Sequence, residues 1–211
     1  MTQDIRHGYI RVTEVLKLMG GYEHIDPSVL QKAAERGSAV HEAIAGSISC
    51  KDLPIQWHGY YEAYVEWHEV AEPDYVFQEK RLYDDDLMIT GQMDAVARIQ
   101  DKLILLDWKT SNKPSPSWDI QMNAYMRMLQ KIGHSVHEAW IVLLSRMGRY
   151  QVIKVPYQAQ LWHEFLSLLS MYREMYGAKE AKEVEREVRR EDVGRQTLDL
   201  DTPTTLGDGQ E

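Results

Sequence analysis

Several features are scarce in this 211-residue sequence, and each scarcity excludes a class of protein. Cys50 is the one cysteine, so the chain can form no internal disulfide and no four-cysteine zinc or iron–sulfur site. The longest apolar run, Ala139 to Leu144, is far shorter than the ~20 residues that a membrane helix needs. Met1 to Arg6 lack the apolar stretch of a secretory signal. We therefore expect a cytoplasmic protein with no membrane contact.

Positive charge is scarce as well. The net charge of −9 is the opposite of what a general nucleic-acid coat protein carries. This net charge still allows a local patch of basic residues. It also allows an acidic cluster, if bound cations offset the charge of that cluster. No Gly-x-x-x-x-Gly-Lys-Ser/Thr segment occurs, which excludes a motor of that type. The sequence is 44% hydrophobic and 27% charged, which is typical of a globular domain.

Capping and periodicity predict a helical first part. Thr13 is expected to cap a short helix that stops at Gly20-Gly21. Asp26 is expected to cap a second helix, with Pro27 at its first position. A third, aromatic-rich helix is predicted from about 56 to 70. Its aromatic residues either stack on bases or pack in the core; they are Trp57, Tyr60, Tyr61 and Tyr64.

Strands follow after Pro73. Alternating patterns predict strands over 75–83, 87–99 and 102–109, the last two joined tightly at Gln100-Asp101. Ser117 or Asp119 is expected to open a helix that runs to about Lys131. We then predict a hairpin over 138–144 and 150–155, and a helix from Tyr157 that becomes strongly charged after Ala178. From Gln196 onward the composition predicts disorder.

The strands over 87–99 and 102–109 carry a candidate chemical centre. Asp107 and Lys109 lie on one strand face because side chains alternate. In a hairpin centred between Gln100 and Asp101, paired numbers sum to 201. Asp94 then faces Asp107, and Gln92 faces Lys109. Opposed carboxylates repel, which favours a divalent cation between them.

Magnesium suits such a pair, because it prefers oxygen ligands and often binds one or two carboxylates together with a substrate phosphate. Lys109 would lie beside the ion and the phosphate, where it could orient water or offset charge in the transition state. Asp-x-Lys is also common as a solvated surface pattern. The apolar run Leu103 to Leu106 favours the site instead, since it predicts a central strand.

Four further residues each allow more than one interpretation. His41 lies on the apolar face of the second helix, one turn after Gly37, as a packed core histidine or as a ligand. Gln121 and Tyr125, four residues apart, contact DNA phosphate or position the lysine, or else belong to a half-buried amphipathic helix. A turn near Asp85 would bring Glu79 close to Gly91, as an auxiliary acid or as a surface residue.

Four segments in order resemble the RecB-like branch of the PD-(D/E)XK nuclease superfamily. They are Arg36 to His41, Ile89 to Asp94, Leu106 to Ser111, and Gln121 to Tyr125. The stretch from Asp107 to Tyr125 is also similar to mitochondrial genome maintenance exonucleases and small phage nucleases, which act on DNA ends.

The resemblance implies an α/β fold, a restriction-endonuclease-like mixed central β-sheet flanked by helices. It implies metal ligands at His41, Asp94, Asp107 and the Trp108 carbonyl, with Mg²⁺ bound and Mn²⁺ able to substitute. No iron–sulfur cluster is expected. The resemblance makes Asp94, Asp107 and Lys109 catalytic. It places Gln121 and Tyr125 near the DNA. Further auxiliary or DNA-binding candidates are Glu79, Thr110, Ser111 and Arg36, and Lys32 and Lys113 are further candidate phosphate contacts.

The expected organisation is one nuclease domain over 1–195 and a disordered tail over 196–211. Within the domain we expect a helical arch over 13–70, a catalytic sheet core over 73–155 and a charged helix over 157–195. The expected activity is Mg²⁺-dependent exonuclease action on DNA with a free or single-stranded end. The setting would be replication, recombination or repair in a bacterial or phage-infected cell, alongside a recombinase, helicase or single-strand-binding partner. Two alternatives stay open, namely a structure- or sequence-specific endonuclease and a non-catalytic DNA-binding regulatory module.

Overall fold

The computed structural model describes residues 8–21, 24–111 and 113–177. The chain forms two compact units, residues 1–168 and 169–211. The predicted helix end at 195 and the predicted tail lie outside the described residues. No helix in the described ranges is long and apolar enough to cross a membrane.

The first unit is built on a six-stranded mixed sheet with helices on both faces, which confirms the predicted fold class. The sheet order is β1-β3-β4-β5-β6, and β2 pairs with the other edge of β3. In chain order the elements are β1 (Ile10–Arg11), α1 (Val12–Leu16), α2 (Pro27–Ile44), α3 (His58–Ala71), β2 (Asp74–Asp84), β3 (Ile89–Ile99), β4 (Lys102–Lys109), α4 (Pro116–Lys131), β5 (Glu138–Leu144), β6 (Tyr150–Pro156) and α5 (159–177).

Two of the three helix caps predicted for α1, α2 and α4 differ from the structure. Asp26 does cap α2, since its side chain accepts a hydrogen bond from the Ser28 amide. Thr13, however, lies inside α1, because the unpredicted strand β1 runs directly into that helix and Arg11 takes the N-cap position. Ser115 rather than Ser117 or Asp119 caps α4, with Pro116 in the first turn.

Helices α2 and α3 cover one sheet face with a core rich in aromatic residues. Trp67 of α3 meets Trp108 of β4 with ring centroids 4.8 Å apart. Tyr60 and Tyr64 are 5% and 7% exposed, so the core interpretation is confirmed for them and base stacking is wrong. Helix α4 also packs on the sheet, and ten of its residues are buried.

The predicted β3–β4 register is confirmed. The five paired positions run from Ile99–Lys102 to Ala95–Leu106, and each pair sums to 201. Gln100 and Asp101 both have positive φ, 49° and 66°, as a two-residue hairpin turn of this kind requires. β4 lies between β3 and β5, and Leu105 and Leu106 are fully buried, which confirms a central strand.

One edge of β3 is open over four residues. β1 pairs with Ile89 and Thr90, and β4 pairs with Ala95 to Ile99 on the same edge. In the described chain, residues 91–94 therefore have no strand partner there. The β3–β4 pairing ends at Ala95, the residue that follows Asp94 in the sequence. The predicted direct pairings of Asp94 with Asp107 and of Gln92 with Lys109 are therefore not formed.

β3 also changes face at this opening. A Cβ on Gly91 would meet the Tyr125 ring of α4, whereas Ala95 belongs to the core under α3. Residues four apart in a regular strand face the same side, so the strand is kinked between them. Glu79 has φ 48°, and neither it nor Asp94 is paired, although the flanking pairs place the two opposite each other. The prediction that Glu79 lies near Gly91 is therefore wrong; Leu82 pairs there.

Gly91→Ala is expected to destabilise the protein by about 1–3 kcal/mol, the usual cost of overpacking a core. The added Cβ would lie 2.3 Å from Tyr125 Cε1, so the ring or the strand has to move. Chemical denaturation measures the loss. A double-mutant cycle with Tyr125→Leu serves as the control. The smaller leucine removes the ring that the added Cβ would meet, so the stability losses of the two single variants should not add up in the double variant. Strict additivity would show that the close approach costs nothing.

Candidate active site

Asp94 lies at the opening of β3 and is held from two sides. Its Oδ2 accepts a hydrogen bond of 2.7 Å from the Trp108 amide, and its Oδ1 lies 3.2 Å from His41 Nδ1. The amide that would otherwise continue the β-ladder thus binds this carboxylate. Burial raises the pKa of Asp94, but the charges of His41 and Lys109 and the Trp108 amide outweigh burial and lower it.

His41 contacts two of the other predicted ligands. Its Nε2 lies 2.9 Å from the Trp108 carbonyl oxygen, and its Nδ1 contacts Asp94. Burial opposes the imidazolium, yet Asp94 and Asp107 raise the pKa of His41 to about 9. At neutral pH the ring therefore carries both protons and donates to both oxygens. A cation bound among these atoms would take the place of a proton.

Asp107 and Lys109 form a tight ion pair on the same face of β4. Lys109 Nζ donates to Asp107 Oδ1 at 2.9 Å and lies 2.7 Å from Oδ2. Asp107 is 3% exposed, and burial, reinforced by the nearby Asp94, raises its pKa. Its Oδ2 is buried and accepts no hydrogen bond despite the close ammonium group.

Glu79 joins the cluster from the opposite strand. One ligand atom each from His41, Glu79 and Asp94 lies within 4.8 Å of the other two. Burial, together with the Asp94 carboxylate, raises the pKa of Glu79. Sequence reasoning treated this residue as auxiliary or as a surface residue. The hairpin register of β2 and β3 was the signal that could have placed it opposite Asp94.

Gln121 and Tyr125 lie beneath the site rather than on its surface. Tyr125 is 2% exposed, and Gln121 Nε2 donates to its hydroxyl at 3.3 Å. Burial raises the pKa of Tyr125, and the charges of Asp107 and Asp94 act in the same direction. Direct DNA contact by Tyr125 is therefore wrong for this structure. The half-buried amphipathic helix is the interpretation that the burial of α4 supports.

Two clefts meet at His41 and Gly37. The smaller cleft, of about 380 Å³, also borders Glu79, Gln92 and Asp94. The larger cleft, of about 800 Å³, runs along Lys109 and the other three predicted auxiliary residues, Thr110, Ser111 and Arg36. In it, Arg36 Nε donates to Thr110 Oγ1 at 3.2 Å, and Ser111 Oγ donates to the Lys113 carbonyl.

The residues present fit a divalent metal ion. Asp107 Oδ2 is buried and accepts no well-directed hydrogen bond although Lys109 Nζ lies 2.7 Å away, so it keeps a lone pair that a bound cation could use. The Asp94 carboxylate and the Trp108 carbonyl add oxygen atoms, and His41 adds one imidazole nitrogen. Oxygen-rich sets of this kind suit Mg²⁺ and Mn²⁺.

Clustered carboxylates beside one lysine, at an opening in a mixed sheet, define the class of site that binds a divalent cation next to a phosphate. A family model of the PD-(D/E)XK nuclease superfamily matches residues 51–205. The chain belongs to this superfamily, whose members use divalent metals, and the RecB-like branch is consistent with it. His41 precedes the matched range, so its assignment rests on the contacts above.

Solved exonuclease structures share the fold. An alkaline exonuclease (LHK-Exo) from Laribacter hongkongensis has a TM-score of 0.53 and 14% identity, over 88% of this chain and 95% of that chain. The same enzyme in complex with dAMP gives 0.53 and 15%, over 87% and 94%. A putative exonuclease from Eubacterium rectale gives 0.51 and 14%, over 78% of both chains. No curated protein sequence matches the chain significantly.

Proposed function

We propose that this protein is a Mg²⁺-dependent exonuclease that hydrolyses phosphodiester bonds at DNA ends. The observation that carries the proposal is the convergence of His41, Asp94, Asp107 and Lys109 at the open edge of β3. The superfamily supports nuclease chemistry. The fold shared with exonucleases supports action at DNA ends. The proposed setting is DNA replication, recombination or repair in a bacterial or phage-infected cell.

Four residues would hold the metal: Asp94 and Asp107 through carboxylates, Trp108 through its carbonyl oxygen and His41 through its ring. Bound there, a divalent ion supplies Lewis acidity toward the phosphate and lowers the pKa of water. Glu79 is a fifth donor on the side of the smaller cleft. It would add negative charge that strengthens cation binding at Asp94.

Lys109 is the cationic partner of the substrate phosphate in this proposal. Its ammonium group is held by Asp107 at 2.7 Å and is 21% exposed, so it is oriented and still accessible. A fixed positive charge in a largely buried site stabilises negative charge that develops on a phosphate. Asp107 therefore has two roles, one toward the cation and one toward the lysine.

The two clefts supply a path for one DNA strand past the site. They meet at His41, so a strand that crosses from one to the other passes the carboxylate cluster. Arg36, Thr110 and Ser111 border the larger cleft, where they would contact phosphates. A recombinase, helicase or single-strand-binding protein would supply the free end.

Linear and closed-circular substrates test the proposal. We expect purified protein with Mg²⁺ or Mn²⁺ to degrade linear DNA, to leave a single-stranded circle intact and to stop in EDTA. A cut circle would establish an endonuclease instead. Cleavage that resists EDTA would exclude the metal, and DNA binding without turnover across several metals would favour a regulatory module.

A further inference from the structure

A row of three hydrogen-bonded side chains, Glu79, Gln92 and Arg81, extends from the carboxylate cluster along β2 and β3. Gln92 Nε2 donates to Glu79 Oε2 at 2.7 Å, and Arg81 Nη2 donates to Gln92 Oε1 at 2.6 Å. Arg81 and Gln92 are directly paired across the two strands. The row thus leads from the carboxylates to a guanidinium group two residues further along the hairpin.

Gln92 separates two opposite charges that would otherwise neutralise each other. Its amide satisfies one hydrogen bond of Glu79 and one of Arg81, and Arg81 forms no ion pair with the residues that the structure describes. The Glu79 carboxylate is therefore not bound to Arg81 and stays available to the cation site. Arg81 keeps its positive charge, and most of its five guanidinium donors remain unused.

The smaller cleft next to Arg81 is lined by acidic residues. Glu42, Glu79 and Asp94 border the smaller cleft, and none of its described lining residues is a lysine or arginine. A DNA strand that enters this cleft meets like charge unless a cation compensates. Arg81 does not line the cleft itself, but it donates to Gln92, which does, so its guanidinium group lies next to the cleft edge.

We propose that Arg81 binds the phosphate next to the scissile one, in the strand segment that occupies the smaller cleft. The proposal rests on the proposed nuclease function. Two strand residues span ~6.8 Å, which is comparable with the separation of neighbouring phosphates on one strand. A guanidinium group is suited to a phosphate, because its planar donors match two phosphate oxygens at once.

The first test is the salt dependence of DNA binding. The probe is a short single-stranded oligonucleotide, and the background is Asp107→Asn, which prevents cleavage. We expect Arg81→Ala to weaken binding at least about tenfold, because it removes a guanidinium contact to two charged phosphate oxygens. The slope of log K against log salt should fall by ~0.7, the value for one lost contact to a single-stranded phosphate.

Lys80→Ala is the matched control, because Lys80 lies on the same strand with its Nζ 3.6 Å over the Phe77 ring. It should change neither the affinity nor the slope. Arg81→Lys should keep the slope while affinity falls, which separates loss of charge from disturbance of the fold. An unchanged slope in Arg81→Ala would overturn the proposal.

The second test removes the charge from single phosphates of the DNA instead of from the protein. Single methylphosphonates are placed in turn along the oligonucleotide. In the protein that retains Arg81, a methylphosphonate at one of the two phosphates that flank the scissile position should weaken DNA binding. In Arg81→Ala, a methylphosphonate at that position should have no effect on binding. Equal sensitivity in both proteins would exclude Arg81. If the wild-type protein neither cleaves nor binds DNA, the proposed function itself fails.

Discussion

Lys109→Ala and Asp107→Asn are each expected to reduce cleavage of linear DNA by about a thousandfold, the upper range for removal of one group that stabilises the transition state. Lys109→Ala removes the ammonium group that lies 2.7 Å from the Asp107 carboxylate. Asp107→Asn keeps the shape but removes one carboxylate charge and the anchor of the lysine. Single-turnover cleavage of a labelled oligonucleotide measures both losses.

Lys102→Ala is the control for this pair, because it removes an exposed lysine at the other end of β4. We expect it to cleave like the wild type. Unfolding temperatures within a few degrees of the wild type would show that the two site variants remain folded. Full activity in both of them would remove this acid–lysine pair from the mechanism.

Mn²⁺ is expected to raise the unfolding temperature. An ion at about 100 times its Kd stabilises the folded state by ~2.7 kcal/mol, and each kcal/mol corresponds to about 2–4 °C for a chain of this size. The physical reason is the pair of buried carboxylates: burial and the Asp94 charge raise the pKa of Asp107, while the charges of His41 and Lys109 lower that of Asp94, so a bound cation would stabilise both charged carboxylates. A thermal melt with and without Mn²⁺ measures the shift.

Asp94→Asn should abolish this Mn²⁺-induced shift, because it removes the carboxylate that contacts both His41 and the Trp108 amide. Glu35→Gln is the control, since Glu35 lies on α2 but is exposed, and within the described ranges its one hydrogen bond is accepted from Gln31. Its shift should equal that of the wild type. A shift that survives in Asp94→Asn would place the ion elsewhere.

Local signals made much of the fold predictable. The turn at Gln100-Asp101 set the β3–β4 register, because it leaves only one way to pair the flanking apolar residues. Asp26 and Pro27 marked the start of α2 for the same local reason. β1 was missed because a two-residue strand has no periodicity of its own, and this omission also displaced the expected cap of α1.

The site was harder to predict than the fold because its geometry departs from a regular ladder. Extending the register predicted that Asp94 faces Asp107 directly. Instead the ladder ends at Ala95, and a backbone amide takes the Asp94 carboxylate. The left-handed conformation of Glu79 has no sequence signal, since a glutamate rarely adopts it. The β2–β3 register brings Glu79 opposite Asp94, and the tertiary contact with α2 then adds His41.

The short opening in β3 also bears on the solubility of the protein. An unpaired strand edge ordinarily offers backbone donors and acceptors to another molecule and promotes aggregation. Here β1 closes the opening at Thr90 and β4 closes it at Ala95. The free stretch is therefore shorter than the ~5–6 residues of a typical strand, so a second chain gains few hydrogen bonds by adding there.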